Sequence, residues 1–242
     1  MKPILFNTQM VKAILEGRKT VTRRVIKPTP PKNAQLELVG DMRHAVDLSI
    51  EIPGPYDHRI YTPPYLHDDV LYVRETWTTL YYVDTDGITH YDQPMIYYAA
   101  DGTPDITLVD PDGFEEDDQR IRWRPSIHMP KAAARVFLRV TDVRAEQLQE
   151  SFFCHGATVR NLAAEGIDIG DQCRECIETY GSPCCVDAES ECGILDDVRD
   201  DFAKLWDSTI NPADLSRYGW AADPWVWVIE YERITREAAH GD

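Results

Sequence analysis

Long apolar runs are missing from these 242 residues, and no stretch approaches the roughly 20 apolar residues that a membrane-crossing helix requires. No secretory leader is expected, because the apolar residues 3–6 that follow Lys2 are far too few to form its hydrophobic segment. Both absences predict a soluble, cytoplasmic protein with no membrane partner. Basic residues are scarce, 25 Lys and Arg against 42 Asp and Glu, and the formal charge of -17 opposes the approach of a polyanion. The scarcity is local. Residues 83–119 hold eleven acids and no Lys or Arg, and residues 165–201 hold twelve acids and two arginines; without these two segments the remainder carries +4. Residues 1–27 alone have seven Lys or Arg against one Glu, so a positive site can sit beside acidic, solubilising insertions. Cysteine is absent before residue 154 and after residue 192.

The sixteen prolines, twelve tyrosines and six tryptophans suit a β-rich domain with long loops better than a helical bundle. The length suits one substantial core. One domain over residues 1–236 is expected, with an acidic insertion at 83–119, a Cys-rich acidic insertion at 168–194 and a tail at 237–242.

The densest chemistry is Gly17-Arg18-Lys19-Thr20-Val21-Thr22-Arg23-Arg24. Met10, Val11, Ile14 and Leu15 recur at helical spacing after Thr8, a predicted N-cap, and Gly17 stands where a left-handed glycine ends a helix. Residues 20–26 then alternate as a strand, so Thr22 and Arg24 share a face and Lys19 reaches over from the turn. A basic strand after a capped helix also makes a plain solvated edge, and the pattern alone does not separate the two readings. Residues 28–65 read as loop with one or two short strands. Residues 69–77 alternate as a strand, and residues 78–121 as a hairpin with a long acidic loop. Residues 122–130 place Trp123, Ser126 and His128 between cations and prolines, as substrate contacts or as a structured loop. Strands are predicted at 134–143 and 224–234, and helices at 158–164 and 195–206.

The spacing Gly17-x-Lys19-x-x-Thr22-x-Arg24 resembles the signature of the ASCH domain family, whose small β-barrel is related to PUA RNA-binding domains. Arg74-Glu75-Thr76-Trp77 is similar to a segment of its phage and bacterial members. The likeness runs through residues 3–27, 68–77, 122–167 and 200–234. It implies an α+β fold, a PUA/ASCH-like mixed β-barrel with flanking helices and large loop insertions. Members with the same Lys-Thr-x-Thr-x-Arg pattern resemble amidohydrolases that remove the acetyl group from acetylated cytidine, and there Lys19, Thr22 and Glu165 match the catalytic trio. In that reading Lys19, its pKa lowered by neighbouring arginines, is the base. Thr22 attacks the acyl carbonyl, Glu165 carries the proton to the leaving amine, and Arg24 or a backbone N–H steadies the oxyanion. Arg23, Tyr72, Trp77, Trp123, Ser126 and His128 are the expected substrate contacts. Two other readings use the same residues: a non-catalytic module binding RNA or a nucleotide through cations and stacked aromatics, and a metal-independent ribonuclease using Lys19, Arg24 and His128.

Five of the six cysteines lie within twenty residues. Cys173, Cys176, Cys185 and Cys192, with Cys184 as the alternative to Cys185, offer paired thiolates at the spacing of a structural zinc site. A mobile loop with free thiols is the other reading. A closed four-cysteine site leaves no catalytic water, so no cofactor is expected to take part in the chemistry.

Overall fold

Asn7 begins the first helix. Its side chain accepts a hydrogen bond from the Met10 amide at 2.9 Å, so helix α1 (Thr8–Leu15) has its cap one residue earlier than the predicted Thr8. Val11, Ala13 and Ile14 bury its inner face, and Gly17 with φ of 77° turns the chain out of it. A computed structural model describes residues 1–31, 35–39, 47–51, 58–82, 95–103, 108–109, 121–152, 155–169 and 193–240. The acidic insertion and the Cys-rich insertion fall mostly outside these residues, and all six cysteines do.

The fold is mixed α+β, and the chain divides into two units. One gathers Met1–Glu16, Val70–Leu138 and Arg233–Asp242; the other gathers Gly17–Asp69 and Arg139–Glu232. The strands are β1 (Lys2–Leu5), β2 (Val21–Val25), β3 (Gln35–Val39), β4 (Asp47–Glu51), β5 (His58–Tyr61), β6 (Val70–Arg74), β7 (Trp77–Tyr82), β8 (Met95–Tyr98), β9 (Leu108–Val109), β10 (Phe137–Gln147) and β11 (Trp225–Ile234). Five form a mixed sheet in the order β1-β6-β10-β11-β2. Two three-stranded sheets, β3-β4-β5 and β8-β7-β9, account for the rest.

In the first unit β1 runs parallel to β6, with Lys2 opposite Leu71 and Leu5 opposite Arg74. Alternation buries Leu71 and Val73 and leaves Val70, Tyr72 and Arg74 half-buried. It predicts one strand through Trp77, but the strand breaks at Glu75 and Thr76. Glu75 is buried and takes two 3.0 Å hydrogen bonds from Arg135, whose guanidinium also reaches Asp101 at 2.7 Å and lies 3.9 Å from the Tyr98 ring. Arg74 donates to the Met129 carbonyl at 2.9 Å and also to the Ile127 carbonyl. Trp77 and Arg124 exchange backbone bonds of 3.2 and 2.7 Å. The Arg-Glu-Thr-Trp segment therefore holds residues 124–135 in place, and that long-range demand interrupts the strand. Trp77, Met129, Ala133, Ala134 and Phe137 form the adjoining core. Ala239 of the C-terminal helix (Arg236–His240) joins it, in a segment expected to be tail.

In the second unit β2 pairs antiparallel with β11, Thr22 opposite Ile229 and Arg24 opposite Trp227. Val21, Val226 and Val228 share the other face of the pair and pack with Leu148, Phe152, Leu162, Phe202 and Trp206. These side chains come from the turn that follows β10, from helix α2 (His155–Ala164) and from helix α3 (Gly193–Ser208). Both helices extend beyond the predicted 158–164 and 195–206. Phe152, Phe202, Trp206 and Trp220 meet edge-on or tilted, with centroids 5.2 to 6.4 Å apart. Residues 28–65 contain three strands rather than one or two. Among the described residues no helix is long and apolar enough to cross a membrane.

Candidate functional site

A glycine-terminated helix, α2, positions the site in the second unit. Gly166, with φ of 83°, closes α2 in a double bond pattern, Gly166 N–H to Ala163 O at 2.8 Å and Ile167 N–H to Leu162 O at 3.1 Å. This fixes Glu165 as the residue at the helix end. Beyond Gly17, Lys19 bridges Glu165 in antiparallel fashion, Thr20 N–H donates to Ala164 O at 2.8 Å, and Arg18 Nη1 donates to Gly166 O at 2.8 Å. Two cations thus meet the carbonyl end of α2, the favourable end of its dipole.

Lys19 is 2 % exposed, and its ammonium has three acceptors: Val21 O at 2.8 Å, Glu165 O at 2.9 Å and Glu165 Oε2 at 2.5 Å. The other carboxylate oxygen, Glu165 Oε1, accepts from Arg23 Nη1 at 2.7 Å. Arg23 in turn donates through Nε and Nη2 to Glu146 Oε1 at 3.3 and 3.2 Å, with its guanidinium 5.0 Å from the Phe152 ring. The result is an alternating row, Lys19, Glu165, Arg23, Glu146, in which the first three groups are buried. An isolated charge at such depth would be expelled or neutralised; alternation lets it stay.

Burial pushes the Lys19 ammonium below the usual lysine range, Glu165 draws it back up, and Arg24 and Arg23 push it down again. The sequence argument expected the same direction from the arginines alone; desolvation is the larger cause. Burial also pushes Glu165 up, but Lys19 and Arg23 outweigh it and hold the carboxyl below its usual range. Three acceptors around Nζ match the three protons of an ammonium. The geometry decides the resting form: ammonium beside carboxylate.

Alternation along β2 sets Thr22 and Arg24 on the face opposite Val21 and Arg23. Thr22 is 1 % exposed, and among the described contacts no hydrogen bond joins its hydroxyl to Lys19 or Glu165. Arg24 donates from Nη1 to Arg23 O at 3.3 Å. Burial lowers its pKa, while Tyr65, Glu165 and Tyr231 act to raise it. Burial raises the Tyr65 and Tyr231 phenols in turn. Lys19, Glu165 and Arg23 are therefore brought into contact, and Arg24 feels the charge of the same carboxylate.

The remaining expected substrate contacts belong to the first unit. Tyr72 is half-buried beneath Lys131 at 5.9 Å. Trp77 is 7 % exposed, stacks with Arg124 at 5.2 Å, and its indole N–H is buried without a partner among the described residues. Trp123 packs on Leu80 and Ile121, Ser126 opens a short 3-10 turn, and His128 closes it on the surface. Cys173, Cys176, Cys184, Cys185 and Cys192 lie outside the described residues. Sequence reasoning missed Glu146, Tyr65 and Tyr231. For Tyr231 the alternation of β11 was the available signal; Glu146 and Tyr65 carried none. No family model, no curated protein and no solved structure matches this chain.

Proposed function

We propose that the protein is an ASCH-like barrel that binds a nucleoside or RNA and hydrolyses an exocyclic amide such as that of acetylated cytidine. What supports this is one observation: the Lys19 amine and the Glu165 carboxylate, from segments 146 residues apart, meet at 2.5 Å, and Thr22, three residues after Lys19, is buried as well. Passing one proton along that bond leaves a neutral amine and a carboxylic acid. The amine then takes the Thr22 proton as Thr22 Oγ1 attacks the acyl carbonyl, and the acid protonates the departing cytosine amine. These transfers return the pair to ammonium and carboxylate, and water then cleaves the acyl-threonine, releasing acetic acid and restoring the Thr22 hydroxyl. Arg24 supplies positive charge for the oxyanion.

The active pair carries one proton between its two members, so the pH profile is bell-shaped. Its acid limb lies below the ordinary glutamate value and its alkaline limb below the ordinary lysine value. The test is acetate release from N-acetylated cytidine by the wild type, Thr22→Ser and Thr22→Val. Serine keeps turnover and valine abolishes it; wild-type turnover by the valine variant refutes the proposal. The engagement of all three Lys19 protons favours a second reading, binding without chemistry. That reading predicts RNA affinity that falls steeply with salt and no acetate release.

A further inference from the structure

The second unit contains a cleft of about 470 Å³, within the ~300–1,000 Å³ typical of small-ligand sites, bounded by the end of β2 and by residues 206–218. Its walls carry opposite charges held apart. Lys27 lines it from the β2 side, Asn211 and Asp214 from the segment after α3. Arg23 and Arg24 also border it, but the Arg23 guanidinium is committed to Glu165 and Glu146, and Arg24 donates to Arg23 O and feels the Glu165 charge on the opposite face of β2. Lys27 is exposed, stands 4.9 Å from the Tyr218 ring, and among the described residues forms no ion pair. Asp214 is half-buried in the same cleft, yet the two do not neutralise each other. Asn211 uses its side-chain oxygen to accept from Ala213 N–H at 3.0 Å, which leaves its amide nitrogen to donate.

A cation and a carboxylate across one cleft, with an amide donor beside the carboxylate, are complementary to a ligand that is anionic at one end and rich in hydroxyls at the other. From this we infer that the cleft is a ribose-phosphate site, with phosphate on Lys27 and sugar hydroxyls on Asp214 and Asn211. A carboxylate accepts from two adjacent hydroxyls, and it repels a bare phosphate, so the ligand is selected by both ends. The site does not involve Thr22 chemistry and stands whether or not the Lys19–Glu165 pair is catalytic.

Calorimetric titration of the full chain with ribose 5-phosphate, inorganic phosphate, cytidine 5′-monophosphate and a cytidine tetranucleotide tests it, with folding of each variant checked by circular dichroism. Ribose 5-phosphate is expected to bind, and inorganic phosphate at least tenfold more weakly. Lys27→Ala should weaken both by about tenfold, the loss of one charge-assisted contact. Asp214→Asn should weaken only the probes that carry ribose. Tighter binding of the monophosphate or of the tetranucleotide then assigns the source of the ribose phosphate. The inference fails if no probe binds, if neither variant changes the affinity of a bound probe, or if Asp214→Asn strengthens ribose 5-phosphate and phosphate alike. Because no probe is acylated, absence of acetate release does not bear on the result.

Discussion

Replacing Lys19 by Met and Glu165 by Leu, singly and together, measures how far the second unit depends on its buried charges. Lys19→Met leaves Glu165 with the Arg23 guanidinium at 2.7 Å, whereas Glu165→Leu leaves the ammonium of Lys19, 2 % exposed, facing two backbone carbonyls. Breaking a buried pair by removing one partner costs about 3–5 kcal/mol. The glutamate variant falls at the upper end of that range, because carbonyl dipoles are a weaker counterpart for Lys19 than a full negative charge, while Arg23 keeps Glu146. For a chain of this length each kcal/mol shifts the melting temperature by ~2–4 °C, so single variants melt roughly 6–20 °C below the wild type. The double variant swaps the pair for apolar groups of similar volume and recovers most of the loss, a coupling of several kcal/mol. Urea unfolding of all four proteins at neutral pH is the assay. Single variants that lose less than ~1 kcal/mol, the range of an exposed ion pair, refute the claim that this pair is buried and paired as described. So does a double variant as unstable as the sum of the singles.

Acid should act on the same pair. The folded-state pKa of Glu165 is depressed, so its contribution is complete above the unfolded value of ~4.3 and is lost as pH falls through the folded value; Glu165→Leu should flatten that part of the stability-against-pH curve. Lys19 acts in the same direction but in a higher window, because its folded pKa is also lowered: stability rises with pH between that lowered value and ~10.4, and Lys19→Met should remove the rise. Gly17→Ala meets no atom within 4 Å of the new Cβ but forces alanine to φ of +77°, so it should cost about 1 kcal/mol by urea unfolding, with the loss coming from the backbone and not from a clash. If the cysteine cluster holds structural zinc, metal analysis should find one equivalent per chain, and Cys173→Ala together with Cys176→Ala should remove it; a metal-free purified protein refutes that proposal.

Local signals were legible wherever the chain answers to its neighbours. The spacing of Val11, Ile14 and Leu15, the left-handed turn at Gly17, and the alternation of Leu71 with Val73 all describe backbone that a few adjacent residues determine. The misreadings occur where a distant partner overrides that backbone. Alternation carries a strand past Glu75, but Arg135, sixty residues away, draws the carboxylate inward and the strand stops. Arg23 reads as a substrate contact because nothing near it in sequence announces Glu146 or Glu165, the carboxylates that take up its guanidinium. The pairing of Lys19 with Glu165 was anticipated through resemblance and not through pattern, and its energetic basis was assigned to neighbouring arginines when burial is the larger influence. A charged side chain can be placed on a strand from spacing alone, since the period of two is a property of the backbone. Whether it points to solvent or becomes part of the core depends on whether folding delivers an opposite charge to the same depth, and in β2 the second outcome holds for Arg23 because α2 ends, at Gly166, one residue after the carboxylate it requires.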